Sequence, residues 1–226
     1  MAKNKQPKVN IVFVLDMTGS MMSVKQQAID GYNEYVTGMQ QEEPGAEIAL
    51  TTFNSHEIKV YPATLVGKAM LLNNDNYAPT SNTPLYDAIG QTIHATEKRA
   101  KKGERVAFVI LTDGQENASR EYTKASIFAK LKEKEAAGWG IIYLGANQDA
   151  YVEAMGMGIN PSNVIKYATR NTSQALGRAA VTGSLAHIRT GHTDNLMADV
   201  DKDALAGDPF RPKPPAKKPK GKRAKS

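Results

Sequence analysis

Cysteine is missing from all 226 residues, which removes disulfides, thiolate metal sites and cysteine nucleophiles together and agrees with a reducing compartment. No unbroken apolar run approaches the roughly 18 to 20 residues of a membrane span. Residues 1–8 are polar and basic, with no signal-peptide core behind them. The expected location is therefore the cytoplasm, with no membrane attachment. A phosphate-binding loop, Gly-x4-Gly-Lys-Ser/Thr, is absent, and Gly156-Met157-Gly158 does not follow a strand in the dinucleotide manner. His56, His94, His187 and His192 lack the i, i+4 spacing and acidic neighbours of a zinc site. They read as surface or helix-packing residues.

An apolar content of 41% is enough to build one sizeable core. The net charge of +6 suggests nucleic acid until it is located along the chain. Residues 209–226 hold eight Lys or Arg and residues 1–8 hold three, which leaves eighteen bases against twenty-three acids between them. The body of the protein is mildly acidic. We therefore divide the chain into a basic extension (1–8), one domain (9–191), a polar connector (192–208) and a tail (209–226). With five Pro in eighteen residues, the tail has too little to bury and is expected to be disordered. Its cations suit salt-sensitive, sequence-independent contact with nucleic acid, or serve only solubility.

Within the domain, apolar runs alternate with helical patterns. Residues 9–15 (VNIVFVL) and 105–111 (RVAFVIL) are continuous and β-branched, as strands buried on both faces should be. Residues 47–53 and 58–61, separated by a polar turn, suggest a hairpin. Further strands are expected at 139–144 and 163–167, and helices at 20–40, 84–101, 122–137, 148–155 and 172–189. This alternation predicts an α/β fold: a doubly wound, mostly parallel central sheet with one antiparallel edge strand and helices on both faces.

In such sheets the functional crevice lies beyond the carboxyl ends of the strands. Two apolar runs end there on aspartate, one in Asp16-Met17-Thr18-Gly19-Ser20 and one in Thr112-Asp113-Gly114. Two carboxylates at one sheet edge repel unless protonated or shared by a cation, and the hydroxyls of Thr18 and Ser20 are further oxygen ligands. Thr83, in the segment TPLYDAI, offers a third loop. Each piece also has a plainer reading: Ser20 as a helix N-cap, Thr83-Pro84 as a capped helix start, and Asp113-Gly114 as a turn. Their coincidence in this order favours a hard-cation site.

Asp16-x-Thr18-x-Ser20, a distant Thr83 and a later Asp113 resemble the metal-ion-dependent adhesion site (MIDAS) of von Willebrand factor A domains. The segments LDMTGSM, TPLYDAIG, LTDGQENAS and YLGANQDA resemble a subgroup of small bacterial and bacteriophage members. The resemblance implies a Rossmann-like fold over residues 9–191 and a magnesium ion (Mg2+), replaceable by manganese. The hydroxyls would ligate it directly, and Asp16 and Asp113 directly or through water. It further implies that an aspartate or glutamate of a partner protein completes the coordination. Thr18 stands where extracellular members usually have Ser, and keeps the hydroxyl.

The nearest enzymatic look-alike is a haloacid-dehalogenase type of phosphotransfer site with Asp16 as nucleophile. That chemistry wants a second carboxylate two residues on, where Thr18 stands. Gln115-Glu116-Asn117 follows Asp113 closely enough to orient a ligated water, or forms a simple turn. Gly145-Ala146-Asn147-Gln148-Asp149 reads as a helix cap or as a lining of the partner groove, and Trp139 as core.

Overall fold

The computed structural model describes residues 7–145, 148–166 and 173–198. The basic tail, most of the basic extension, most of the connector and the Ala146-Asn147 cap lie outside the described residues.

The two continuous apolar runs form the middle of the sheet. Strand β1 (Val9–Asp16) is buried along its whole length. It pairs in parallel with β2 (Glu47–Phe53) on one side and β5 (Arg105–Thr112) on the other. Side chains of a strand alternate between faces, and here each face has its own core. Ile11, Phe13, Leu15, Val109 and Leu111 lie on one face, and Val12, Val14, Phe108 and Ile110 on the other. That is why neither run shows the polar alternation of a half-exposed strand.

Helices α1 (Lys25–Glu42) and α5 (Ser173–Thr190) cover the first face. The second is covered by α2 (Leu85–Arg99), α3 (Lys124–Ala136) and α4 (Gln148–Gly156). The α1–α5 crossing is close: a Cβ at Gly177 would lie 2.5 Å from the Gly31 carbonyl oxygen. Strands β6 (Trp139–Gly145) and β7 (Val164–Lys166) extend the parallel sheet, and with β3 (Ile58–Val60) at the other edge the order is β3-β2-β1-β5-β6-β7. Trp139 is buried in the second core, whereas His187, on α5, is buried against the first face, where it fills the space above Gly140.

The expected hairpin is present, with β3 (Ile58–Val60) antiparallel to β2. Its turn is held by Asn54, whose Oδ1 accepts from the His56 and Glu57 amides at 2.9 and 3.1 Å. A two-residue strand β4 (Thr64–Leu65) also pairs antiparallel with β2; two residues are too short to show a period. The helix expected to start at residue 20 begins later. A 3-10 turn (Gly19–Val24), in which the Met21 amide bonds the Thr18 carbonyl at 3.1 Å, precedes α1. Because β1 lies between β2 and β5, chain connections leave it in opposite directions, and a crevice opens where β1 and β5 end.

Candidate metal centre

All five residues picked out in the sequence meet at that crevice. Asp16 is the last residue of β1 and fully buried. Its Oδ1 accepts from the Thr18 amide at 2.8 Å and its Oδ2 from the Thr112 hydroxyl at 2.5 Å. Thr18 Oγ1 lies 3.3 Å from Ser20 Oγ and accepts from Thr83 Oγ1 at 3.2 Å. Ser20 Oγ in turn donates to Asp113 Oδ1 at 2.7 Å. One chain of contacts thus joins three loops far apart in sequence.

The plainer readings of these residues can be checked bond by bond. Ser20 caps no helix: the 3-10 turn starts after Thr18, without a side-chain cap bond. Thr83 caps none either, since α2 follows Pro84 and has no side-chain bond from its N-cap residue. Both hydroxyls face the other oxygens of the cluster. Gly114 leaves room between them, for a Cβ there would lie 3.3 Å from Thr83 Oγ1 and 3.4 Å from Ser20 Oγ. Ser20 is exposed while Thr18, Thr83 and Asp113 are buried, so the cluster opens to solvent on one side.

The electrostatics are those of a site short of positive charge. Burial pushes the Asp16 carboxyl up to about 6, against the opposing hydrogen bonds from Thr112 and Thr18, and the nearby Asp113 adds to the rise. Burial likewise raises Asp113, opposed by the Ser20 hydroxyl. Among the described residues no three Asp, Glu or His side chains gather as metal ligands. The donor set is therefore two carboxylates and three hydroxyls, which suits a hard, oxygen-seeking divalent cation.

Further residues support the five, and of these Tyr77 and the roles of Thr112 and Asp87 were not read from the sequence. Thr112 orients Asp16 and also accepts the Gly114 amide at 3.0 Å. Tyr77 donates to the Asp16 carbonyl at 2.6 Å. The loop after Asp113 is latched to the start of α2. Asn117 Oδ1 accepts the Thr83 amide at 2.8 Å, and the Asn117 amide returns to the Thr83 carbonyl at 3.1 Å. Glu116 accepts from the amides of Tyr86, Ala118 and Ser119, and Asp87 from those of Arg120, Glu121 and Tyr122. Glu116 and the Asn117 carbonyl group, expected to orient a water or form a turn, thus satisfy the unpaired amides of a helix start and its loop. A segment such as QENAS shows the acceptors in sequence but not which amides they reach.

The sequence model of the von Willebrand factor type A domain matches residues 10–179. The chain belongs to this family. No curated protein matches the sequence. Among solved structures, the pilus adhesin SpaC from Lactobacillus rhamnosus GG superposes with a TM-score of 0.62 at 15% identity, covering 82% of this chain and 31% of SpaC. The vWF domain of the type V pili tip protein Mfa5 from Porphyromonas gingivalis gives 0.60 at 12% identity, covering 77% of this chain and 94% of that one. Manganese-loaded TRAP protein from Plasmodium vivax gives 0.53 at 13%, covering 78% and 74%. At these identities the likeness is one of fold. This chain spans about a third of the length of SpaC, so what a whole adhesin does is not carried over with the A domain.

Proposed function

We propose that this A domain is a metal-dependent protein-interaction module whose MIDAS-type centre holds magnesium, or manganese in its place, and engages an aspartate or glutamate of a partner protein. The observation that carries this reading is the pair of hydroxyls on Ser20 and Thr83, each beside a helix start that it leaves uncapped while facing the other oxygens of the cluster. Thr18, Ser20, Thr83 and Asp113 would hold the ion, with Asp16 behind them. When bound, the ion supplies a positive centre with few neutralising carboxylates, open to an anionic ligand. The chain itself positions the donors: Thr112 and the Thr18 amide fix Asp16, and the Asn117 latch fixes Thr83. Asp16 is unsuited to be a nucleophile, because it is fully buried and both its oxygens are already engaged.

The test is a titration of the purified chain with Mn2+, followed by water-proton relaxation, and with Mg2+ by calorimetry. Saturable binding that Asp113→Ala abolishes is expected. A wild-type chain that binds neither ion, or an Asp113→Ala variant that binds as well as wild type, would overturn the reading. The partner requirement is checked separately by pull-down in magnesium and in chelator, where the specific partner is lost on chelation.

A further inference from the structure

The opening beside the centre is larger than an ion requires. A cleft of about 600 Å³ lies between the β2–β3 turn, the loop carrying Thr83, α2 and the latch loop. Asn82 and Pro84, on either side of Thr83, line it together with Asn117, which holds the Thr83 amide, so the cleft runs alongside the loop that carries Thr83. Its volume is within the range of ligand sites, but such sites for small molecules are mainly apolar, and this one is walled mainly by polar side chains.

Asn54, Ser55, Asp87, Asn117 and Ser119 in the walls of the cleft are already hydrogen-bonded, while other polar side chains there keep donors or acceptors free. Among the described residues, the Arg120 guanidinium and the Glu57 carboxylate have no hydrogen-bond or ion-pair partner, and the Asn82 side-chain amide makes no hydrogen bond. Gln91 donates through Nε2 to Glu121 at 3.0 Å and keeps its carbonyl oxygen free. Side-chain amides offer the same donor and acceptor groups as a peptide backbone, so Asn82 and Gln91 can pair with the main chain of an extended segment. Arg120 is well placed as a cation, because its backbone amide is held by Asp87 Oδ2 at 2.8 Å while its side chain remains exposed. A guanidinium matches a carboxylate with two parallel hydrogen bonds. Glu57, in the β2–β3 turn that also lines the cleft, disfavours a segment that is acidic throughout.

We propose that this cleft is the second half of the docking surface: it takes an extended partner segment with two acidic residues, one reaching the metal centre and the other pairing with Arg120, with the intervening main chain along Asn82 and Gln91. This rests on the metal-centre reading above. The cleft thereby sets specificity, while the ion supplies a contact that any exposed acid could make.

The test uses the full chain, immobilised, in selection from a displayed random-peptide library, run in parallel in magnesium and in chelator. The expected winners are enriched only in magnesium and carry two acidic residues a few positions apart. A resynthesised winner should bind Arg120→Glu about tenfold or more weakly than wild type, as loss of a charge-assisted pair implies. Arg120→Lys should recover part of that loss, and Mn2+ binding by either variant should be unchanged. Magnesium-dependent winners with a single acid, or winners indifferent to Arg120→Glu, would overturn the cleft proposal and leave the metal centre standing. Winners enriched equally in chelator, or none at all, would overturn it as well. Mn2+ titration of the same preparation then shows whether the metal centre fails with it.

Discussion

Two groups of carboxylates lie at the same edge of the sheet and are built in opposite ways. In the latch, Asp87 and Glu116 are each met by three backbone amides, and Glu116 also by the Ser119 hydroxyl at 2.6 Å. In the candidate metal centre, Asp113 is met by the Ser20 hydroxyl and one backbone amide, and Asp16 by one amide and one hydroxyl, with the two acids close enough to raise Asp16. Three fixed N–H groups hold a carboxylate in place and leave it little freedom to turn to a cation. Hydroxyls can donate or accept, so they can turn from each other to a cation. A carboxylate's role at this edge thus depends on how many of its neighbours are fixed amides.

The largest way to break this contrast is to remove the charge of Asp16. Asp16→Asn should abolish Mg2+ and Mn2+ binding and yet make the ion-free protein more stable near neutral pH. The folded carboxyl is raised from 3.8 to about 6. Its protonated form is therefore favoured by folding, so its contribution to stability is full below about pH 4 and lost as pH rises through about 6. A shift of this size is on the order of 3 kcal/mol. Thermal melts without ion, at about pH 5 and about pH 7.5, should show the wild type losing stability relative to Asp16→Asn at the higher pH. Added magnesium should restore it in the wild type alone. A variant less stable than wild type at both values would show that the bonds from Thr112 and Thr18 outweigh the cost of burying the charge.

A smaller effect comes from loosening the latch with every ligand intact. Glu116→Gln turns an NH2 group toward amides that now meet a carboxylate oxygen. Supporting residues around metal sites typically cost about 10- to 100-fold in affinity when changed, and that range is expected here by calorimetry. Faster hydrogen exchange at the Tyr86, Ala118 and Ser119 amides should accompany it. Unchanged affinity with faster exchange would mean that Thr83 and Asp113 hold their places without the latch.

Smaller still is the acid response of His187, whose imidazole is pushed down first by burial and further by the charge of Arg105. A base lowered in the folded state contributes stability above its unfolded value of about 6.5, and this is lost as pH falls below it. The sign is opposite to that of Asp16. Replacing His187 by Gln should flatten this part of the stability profile measured by urea unfolding, even if the packing change over Gly140 lowers the curve as a whole.

The sheet was legible because its signals are local. Residues 9–15 and 105–111 are too apolar for an exposed face, and the aspartates that follow mark the carboxyl edge. The five residues of the centre were legible as a pattern, although Ser20 and Thr83 had equally ordinary readings as caps. Only the direction of each hydroxyl separates the two, and that depends on how loops far apart in sequence are brought together. The latch was hidden for the same reason: Glu116 and Tyr86 are thirty residues apart, and no local rule pairs them. The 3-10 turn before α1 was missed because its residues continue the helical pattern, while the Thr18 carbonyl draws in Met21 one position early.

The finest test of the contrast is Thr18→Ser. If the centre works through hydroxyls that can turn from each other to a cation, the oxygen alone should matter at this position. Serine keeps Oγ beside Ser20 and Thr83 and removes one methyl group from a fully buried residue. Burial of one such group is worth about 0.8 kcal/mol, so a small fall in melting temperature is expected with ion affinity nearly unchanged. Thr18→Val is the matched control, since it keeps the shape and loses the oxygen. Calorimetry should find Mg2+ binding preserved in the first and strongly weakened in the second. Equal weakening in both would mean that the Thr18 methyl, by fixing the side-chain rotamer, matters as much as the hydroxyl it carries.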